Sequence, residues 1–118
     1  MPGNADLKAR TKSFALRVIK VVDALPNTRS ANVIGHQLLR SGTSVGANYR
    51  AACRARSTAE FVAKLGVVEE EADESGYWME LLIDGGLMSP AQLGELLHEA
   101  DELVAITVAS IKTARQRK

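Results

Sequence analysis

The chain has 118 residues, 46% hydrophobic, 25% charged and 4% aromatic, with a formal net charge of +1. That length allows one cooperative domain with a single core, and a near-zero charge gives no strong attraction to nucleic acid or membranes as a whole. No apolar run approaches the roughly 18 residues that cross a bilayer, and the start MPGNADLKAR lacks the apolar stretch of a secretory signal, so a cytoplasmic protein with no membrane partner is expected.

The first predicted helix runs from about Asp6 to Leu25, where Leu7, Phe14, Val18, Val21 and Leu25 recur at helical spacing. Pro26 stops it, and Thr28 or Ser30 can cap a second helix over Ala31 to Ala55. Ser57 followed by Glu60 is a capping-box pattern that opens a third, to about Asp84. After DGGLMSPAQ, the set Ser89, Pro90 and Gln92 supplies a cap, a first-position proline and a box partner for a fourth. That helix carries Leu93, Leu97, Ala100, Val104, Thr107 and Ile111 on one seam. Short links force neighbours antiparallel. The predicted fold is therefore all-α, an up-down-up-down four-helix bundle forming one domain over 1–118, with 1–5 and 113–118 as frayed tails.

Charge is unevenly placed along the chain. Residues 26–58 hold five arginines and no acid, whereas residues 59–84 hold eight acids against Lys64. Segments of opposite sign are expected to face each other, within the chain or between subunits. The lone Cys53 has no partner for an internal disulfide and no Cys or His at metal-ligand spacing, which predicts a small buried hydrophobe.

The second helix departs from a simple core pattern. Its seam of Ile34, Leu38, Ser41, Val45, Asn48 and Ala52 is interrupted by polar residues, the adjoining row of Gln37, Ser44 and Ala51 is small or polar, and Gly42 and Gly46 each cost about 1 kcal/mol of helix propensity. On the third helix, Phe61, Leu65, Val68, Ala72, Ser75, Met79 and Leu82 form an apolar seam beside a row of Val67, Glu71, Glu74, Trp78 and Leu81. A buried polar group is tolerable only when hydrogen-bonded. One reading pairs Arg40, Ser41, Ser44 and Asn48 with Glu71 and Glu74 in a semi-buried polar layer that sets helix register or a subunit contact. The other leaves both glutamates on a solvated face, and periodicity does not choose between them.

The two stretches QLLRSGTSVGANYRAACRARS and AEFVAKLGVVEEEADESGYWMELL together resemble the bacterial four-helix bundle protein family that includes the proteins encoded in 23S rRNA intervening sequences. That family in turn is similar to the accessory variability determinant of diversity-generating retroelements. The matching positions are Gln37, Leu38, Arg40, Ser41, Ser44, Val45, Ala47 and Asn48, then Glu60, Phe61, Lys64, Leu65, Glu71, Ala72, Glu74, Tyr77 and Trp78. The match is dense over 37–82 and by pattern only on the outer helices. Ala51 and Gly76 depart from it, standing where the family often has a glutamate and an arginine. The resemblance implies a barrel-like homopentamer without established catalysis. For the retroelement branch it implies nucleic acid and a reverse transcriptase as partners.

Three functional readings follow. The first is an oligomeric binding scaffold, with Arg50, Arg54, Arg56, Lys112, Arg115, Arg117 and Lys118 contacting the phosphates of RNA or DNA. The same residues also fit a solubilising surface and a tail, and the lack of interleaved aromatics disfavours sequence-specific reading of single strands. The second is a helical ribonuclease using Arg29 and His36. Such chemistry needs both in one cleft, whereas Arg29 is expected in the loop before the second helix and His36 on a helix surface, so no enzyme is expected. A lone Glu95…His98 pair falls short of the two copies a di-iron bundle needs, so no metal or cofactor is expected either. The third is a protein-docking hub, with Trp78, Tyr77 and Tyr49 as candidate anchors and core packing as the simpler role for Trp78.

Overall fold

Each helix end has a local chemical cause. The computed structural model describes residues 2–117, with side chains from residue 6 onward. It contains α1 (Pro2–Asp23), α2 (Arg29–Cys53), α3 (Thr58–Asp84) and α4 (Pro90–Gln116), with no strand among the described residues. Thr28 caps α2 by accepting from the Ala31 amide, and Ser57 caps α3 by accepting from the Glu60 amide. The expected reciprocal bond at α3 is displaced by one residue, because the Glu60 carboxylate accepts from the amide of Arg56 at 3.2 Å. Ser89 and Gln92 form the full box, with Pro90 in the first turn of α4.

The end of α3 closes on Gly86, whose φ of 74° is available to glycine without the steric cost of a Cβ. There the Leu87 amide donates to the Leu82 carbonyl at 2.9 Å and the Gly86 amide to Ile83 at 3.0 Å. α1 ends at Asp23, two residues before the expected boundary, since Leu25 precedes Pro26. At the other extremes α1 begins at Pro2 and α4 continues to Gln116.

Cross-helix contacts fix the directions. Positions Gly35, Gly42 and Gly46 of α2 meet Val22, Val18 and Thr11 of α1 in turn, with Leu25 of the following link also against Gly35, so the two helices run antiparallel. α2 packs most extensively on α3, α3 on α4 and α1 on α2, while α1 and α4 meet along the thinnest seam. The result is an elongated four-helix bundle of 49 × 21 × 19 Å. Phe14, Val18, Leu38, Val45, Leu65, Met79, Leu82 and Leu93 are all buried along its axis.

Two side-chain assignments change in the folded chain. On α4 the buried seam is Leu93, Leu96, Ala100, Leu103, Thr107 and Ile111, so Leu96 and Leu103 take the places expected for Leu97 and Val104. Either set satisfies helical spacing, and the rotation of α4 against α3 decides between them. Tyr49, offered as an interface anchor, is instead buried in the core, where burial and a hydrogen bond with the Cys53 side chain push its phenol pKa above the ordinary range. Cys53 itself is half-buried rather than fully buried.

Candidate functional site

The glycines and serines of α2 serve two different neighbours. A Cβ at Gly42 would stand 2.8 and 2.9 Å from the two γ-methyl carbons of Val18, and one at Gly46 would stand 3.3 to 3.4 Å from Thr11. These glycines bring the α1 and α2 backbones together, which offsets their cost in helix propensity. Ser41 faces the other way. Its Oγ lies 3.0 Å from the Oγ of Ser75 on α3, and both residues are fully buried. The carbonyls of Glu71, at 2.8 Å from Ser75, and Leu38, at 3.3 Å from Ser41, complete the acceptor set. No buried side-chain nitrogen or oxygen among the described residues lacks a partner.

Outward from that pair lies a charged cluster. Arg40 donates to Glu71 at 3.4 Å, to Glu74, and through Nε to Gln37 at 3.2 Å. The Trp78 indole N–H donates to Glu74 at 3.0 Å, and exposed Tyr77 meets the Trp78 ring edge-on with centroids 5.2 Å apart. The structure therefore gathers Arg40, Ser41, Glu71 and Glu74, and adds Ser75 and Trp78. It does not bring Ser44 and Asn48 to the glutamates. Ser44 donates to the Arg40 carbonyl at 2.7 Å and Asn48 to the Ser44 carbonyl at 2.8 Å, each bonding its own helix one turn back. Their hydrogen-bonding groups are thus engaged within α2, and it is Arg40 that reaches Glu71 and Glu74. Ser75 stood on the apolar seam of α3 as a lone polar residue, the one signal that a partner for Ser41 lay there.

Charge is sorted by pole more than by helix. Antiparallel packing collects the start of α1, the end of α2, the start of α3 and the end of α4 at one end of the rod. Segments 6–12, 50–64 and 99–117 there hold ten basic side chains against Asp6, Glu60, Glu99, Asp101 and Glu102, a net +5. The other described residues hold four basic and nine acidic side chains, a net −5. Arg50, Arg54, Arg56, Lys112, Arg115 and Arg117 all lie at the basic pole and all are exposed, while Lys118 lies outside the described residues. The expected facing of basic α2 against acidic α3 holds for Arg40 only, among the described residues, because the remaining arginines sit at the helix ends. On the α1–α4 seam Arg10 makes a two-pronged contact with Glu99, at 2.6 and 3.1 Å, and this hydrogen bond raises the Arg10 pKa.

Two cavities open at this pole. One, of about 560 Å³ between α1 and α2, is edged by Lys8, Lys12 and Arg50 and floored by Gly46 and Thr11. The other, of about 730 Å³, lies at the bundle end among α1, α2, the start of α3, α4 and the α2–α3 link, with Leu7, Phe61 and Ile106 on its walls and Arg56 and Arg117 at its edge.

The remaining candidates are dispersed. Arg29 is the first residue of α2 instead of lying in the preceding loop, because Thr28 caps the helix two residues earlier than Ser30 would. It is exposed, as is His36 two turns along the same face, and neither lines the two cavities. Glu95 and His98 are exposed on α4, and no group of three or more metal-ligating side chains occurs among the described residues. No helix among those residues is long and apolar enough to cross a membrane.

Comparison with known proteins bears on these features. No curated protein is significantly similar to the chain. A crystal structure of a protein of unknown function from the S23 ribosomal protein family of Bacteroides thetaiotaomicron superposes with a TM-score of 0.85 at 36% identity, covering 90% of this chain and 98% of that one. The family model for the 23S rRNA-intervening sequence protein matches residues 4–109, which take in α2 and α3 with their polar cluster as well as nearly all of α1 and most of α4. The chain belongs to the 23S rRNA-intervening sequence protein family.

Proposed function

We propose that this protein is a non-enzymatic oligomeric scaffold whose basic pole binds the phosphate backbone of RNA or DNA. The observation that carries the reading is the concentration of ten basic side chains at one end of a molecule whose total charge is only +1. Eight of them are exposed, and Lys8, Lys12 and Arg50 edge a single groove. Such a surface favours backbone contact without base reading. Assembly as a barrel-like homopentamer would repeat the pole around a ring and raise the local cation density.

The test is binding of a short structured RNA, followed by anisotropy across a salt series, with solution mass measured by light scattering. Arg50, Arg54 and Arg56 replaced together by alanine should weaken binding and flatten the logarithmic salt slope by up to about 3, at roughly 0.9 per lost phosphate contact. An unchanged slope would refute the assignment of the pole. For the assembly, Asn48→Leu with Glu71→Gln should lower the solution mass from about five subunits while the helical signal persists. A mass that stays the same removes the α2–α3 face from the subunit contact.

One observation favours a second reading, a protein-docking hub without nucleic acid. Tyr77 is 53% exposed against the edge of Trp78, the geometry of a rigid aromatic anchor. A protein indifferent to RNA at low salt would move the function to that face.

A further inference from the structure

The 730 Å³ cavity differs in kind from the cationic groove beside it. Its volume falls in the range of small-molecule sites, which pair apolar walls with a few placed polar groups. Four small side chains, Ala52, Ala55, Ala109 and Ala114, form part of its lining at the bundle end. Larger side chains at those positions would have continued the core. Leu7, Phe61 and Ile106 supply apolar wall, so a phosphate group alone would leave most of the surface uncovered.

The mouth has a definite polarity. Arg56 and Arg117 line it, Asp6 is the only carboxylate of the lining among the described residues, and the surrounding pole is net +5. Ser57 and Thr58 place the positive end of the α3 dipole at the same opening. Glu60 is engaged by the Arg56 amide, outside the lining. An occupant must therefore carry an apolar body for the walls and a negative group for the edge. We propose that this cavity binds a small amphipathic anion, an alkyl or aryl carboxylate, with its apolar portion against Phe61 and Ile106 and its carboxylate toward Arg56.

Decanoate, with decanol as its neutral counterpart, provides the probe pair, titrated calorimetrically into the full-length protein at low salt. Decanoate should bind about tenfold more tightly than decanol, the size of one charge-assisted contact. Arg56→Ala should remove that preference and leave decanol binding in place. Ala109→Trp, at an exposed position on the cavity wall, should abolish binding of both while the helical melting curve is retained, and Thr113→Phe supplies an independent filling variant if the first fails to fold. Decanoate binding that survives both filling variants, or that is absent in the parent protein, overturns the site. Equal binding of decanol and decanoate to the parent overturns the anionic preference. RNA plays no part in this titration, so its outcome is separate from that of the scaffold proposal.

Discussion

Ser41 on α2 and Ser75 on α3 place their hydroxyl oxygens 3.0 Å apart at the fully buried interface of the two most extensively packed helices. Two protons serve three acceptors there, the partner hydroxyl and the carbonyls of Leu38 and Glu71. Among the described residues, each serine has the other as its only side-chain partner across the interface.

Ser41→Ala and Ser75→Ala should each therefore destabilise the fold by about 1–2 kcal/mol, because each leaves a buried hydroxyl with fewer partners. The double variant should lose less than the sum, since both polar groups are then gone. Urea unfolding of the four proteins measures the coupling, and strict additivity would show that the two hydroxyls do not interact.

Glycine substitutions should split by location. At Gly42 an alanine gains about 1 kcal/mol of helix propensity, yet its methyl would meet Val18 at 2.8 Å, so a net loss of about 1–2 kcal/mol is expected. Gly66 and Gly94 have nothing within 4 Å of an added Cβ, so alanine there should stabilise by up to about 1 kcal/mol. Thermal melting of the three variants decides it, and a stabilised Gly42→Ala would contradict the close α1–α2 approach.

Tyr49 gives the stability a dependence on alkaline pH. Its pKa is raised in the folded chain, chiefly by burial, whereas the unfolded phenol ionises near the usual value of about 10. Below that pH both states hold the proton and the contribution is complete. Above it the unfolded chain releases a proton that the folded one retains, so stability falls at up to about 1.4 kcal/mol per pH unit. Tyr49→Phe should flatten this fall. Denaturation midpoints from pH 9 to 11 for both proteins measure it, and parallel curves would show that Tyr49 ionises freely when folded.

The Arg10–Glu99 contact joins the helices of the thinnest seam. Glu99→Gln should lower stability by about 1 kcal/mol at low salt, with a smaller deficit as salt rises, since the pair is partly exposed. A deficit independent of salt would assign the effect to packing.

Local chemistry made much of this molecule legible in advance. Proline 26, the caps at Thr28, Ser57 and Ser89, and the glycine stop after α3 act within one turn of chain, so the four helices could be placed by reading residues in order. The family signature from Gln37 to Trp78 was legible for the same reason. The basic pole also follows from sequence once alternate helices are reversed, but a count of charge along the chain hides it, because the four contributing helix ends are far apart in residue number.

Other features depended on how the helices rotate and slide against one another. Spacing permits either Leu97 and Val104 or Leu96 and Leu103 in the core, and packing selects the second pair. The same rotation turns Ser41 inward to Ser75, leaves Ser44 and Asn48 on carbonyls of their own helix, and sinks Tyr49. The end cavity arises where alanines from α2, its outgoing link and α4 converge, a coincidence of positions some 55 residues apart. A helix's sequence determines which residues share a face; only the fit of side chains against neighbouring helices determines what that face meets.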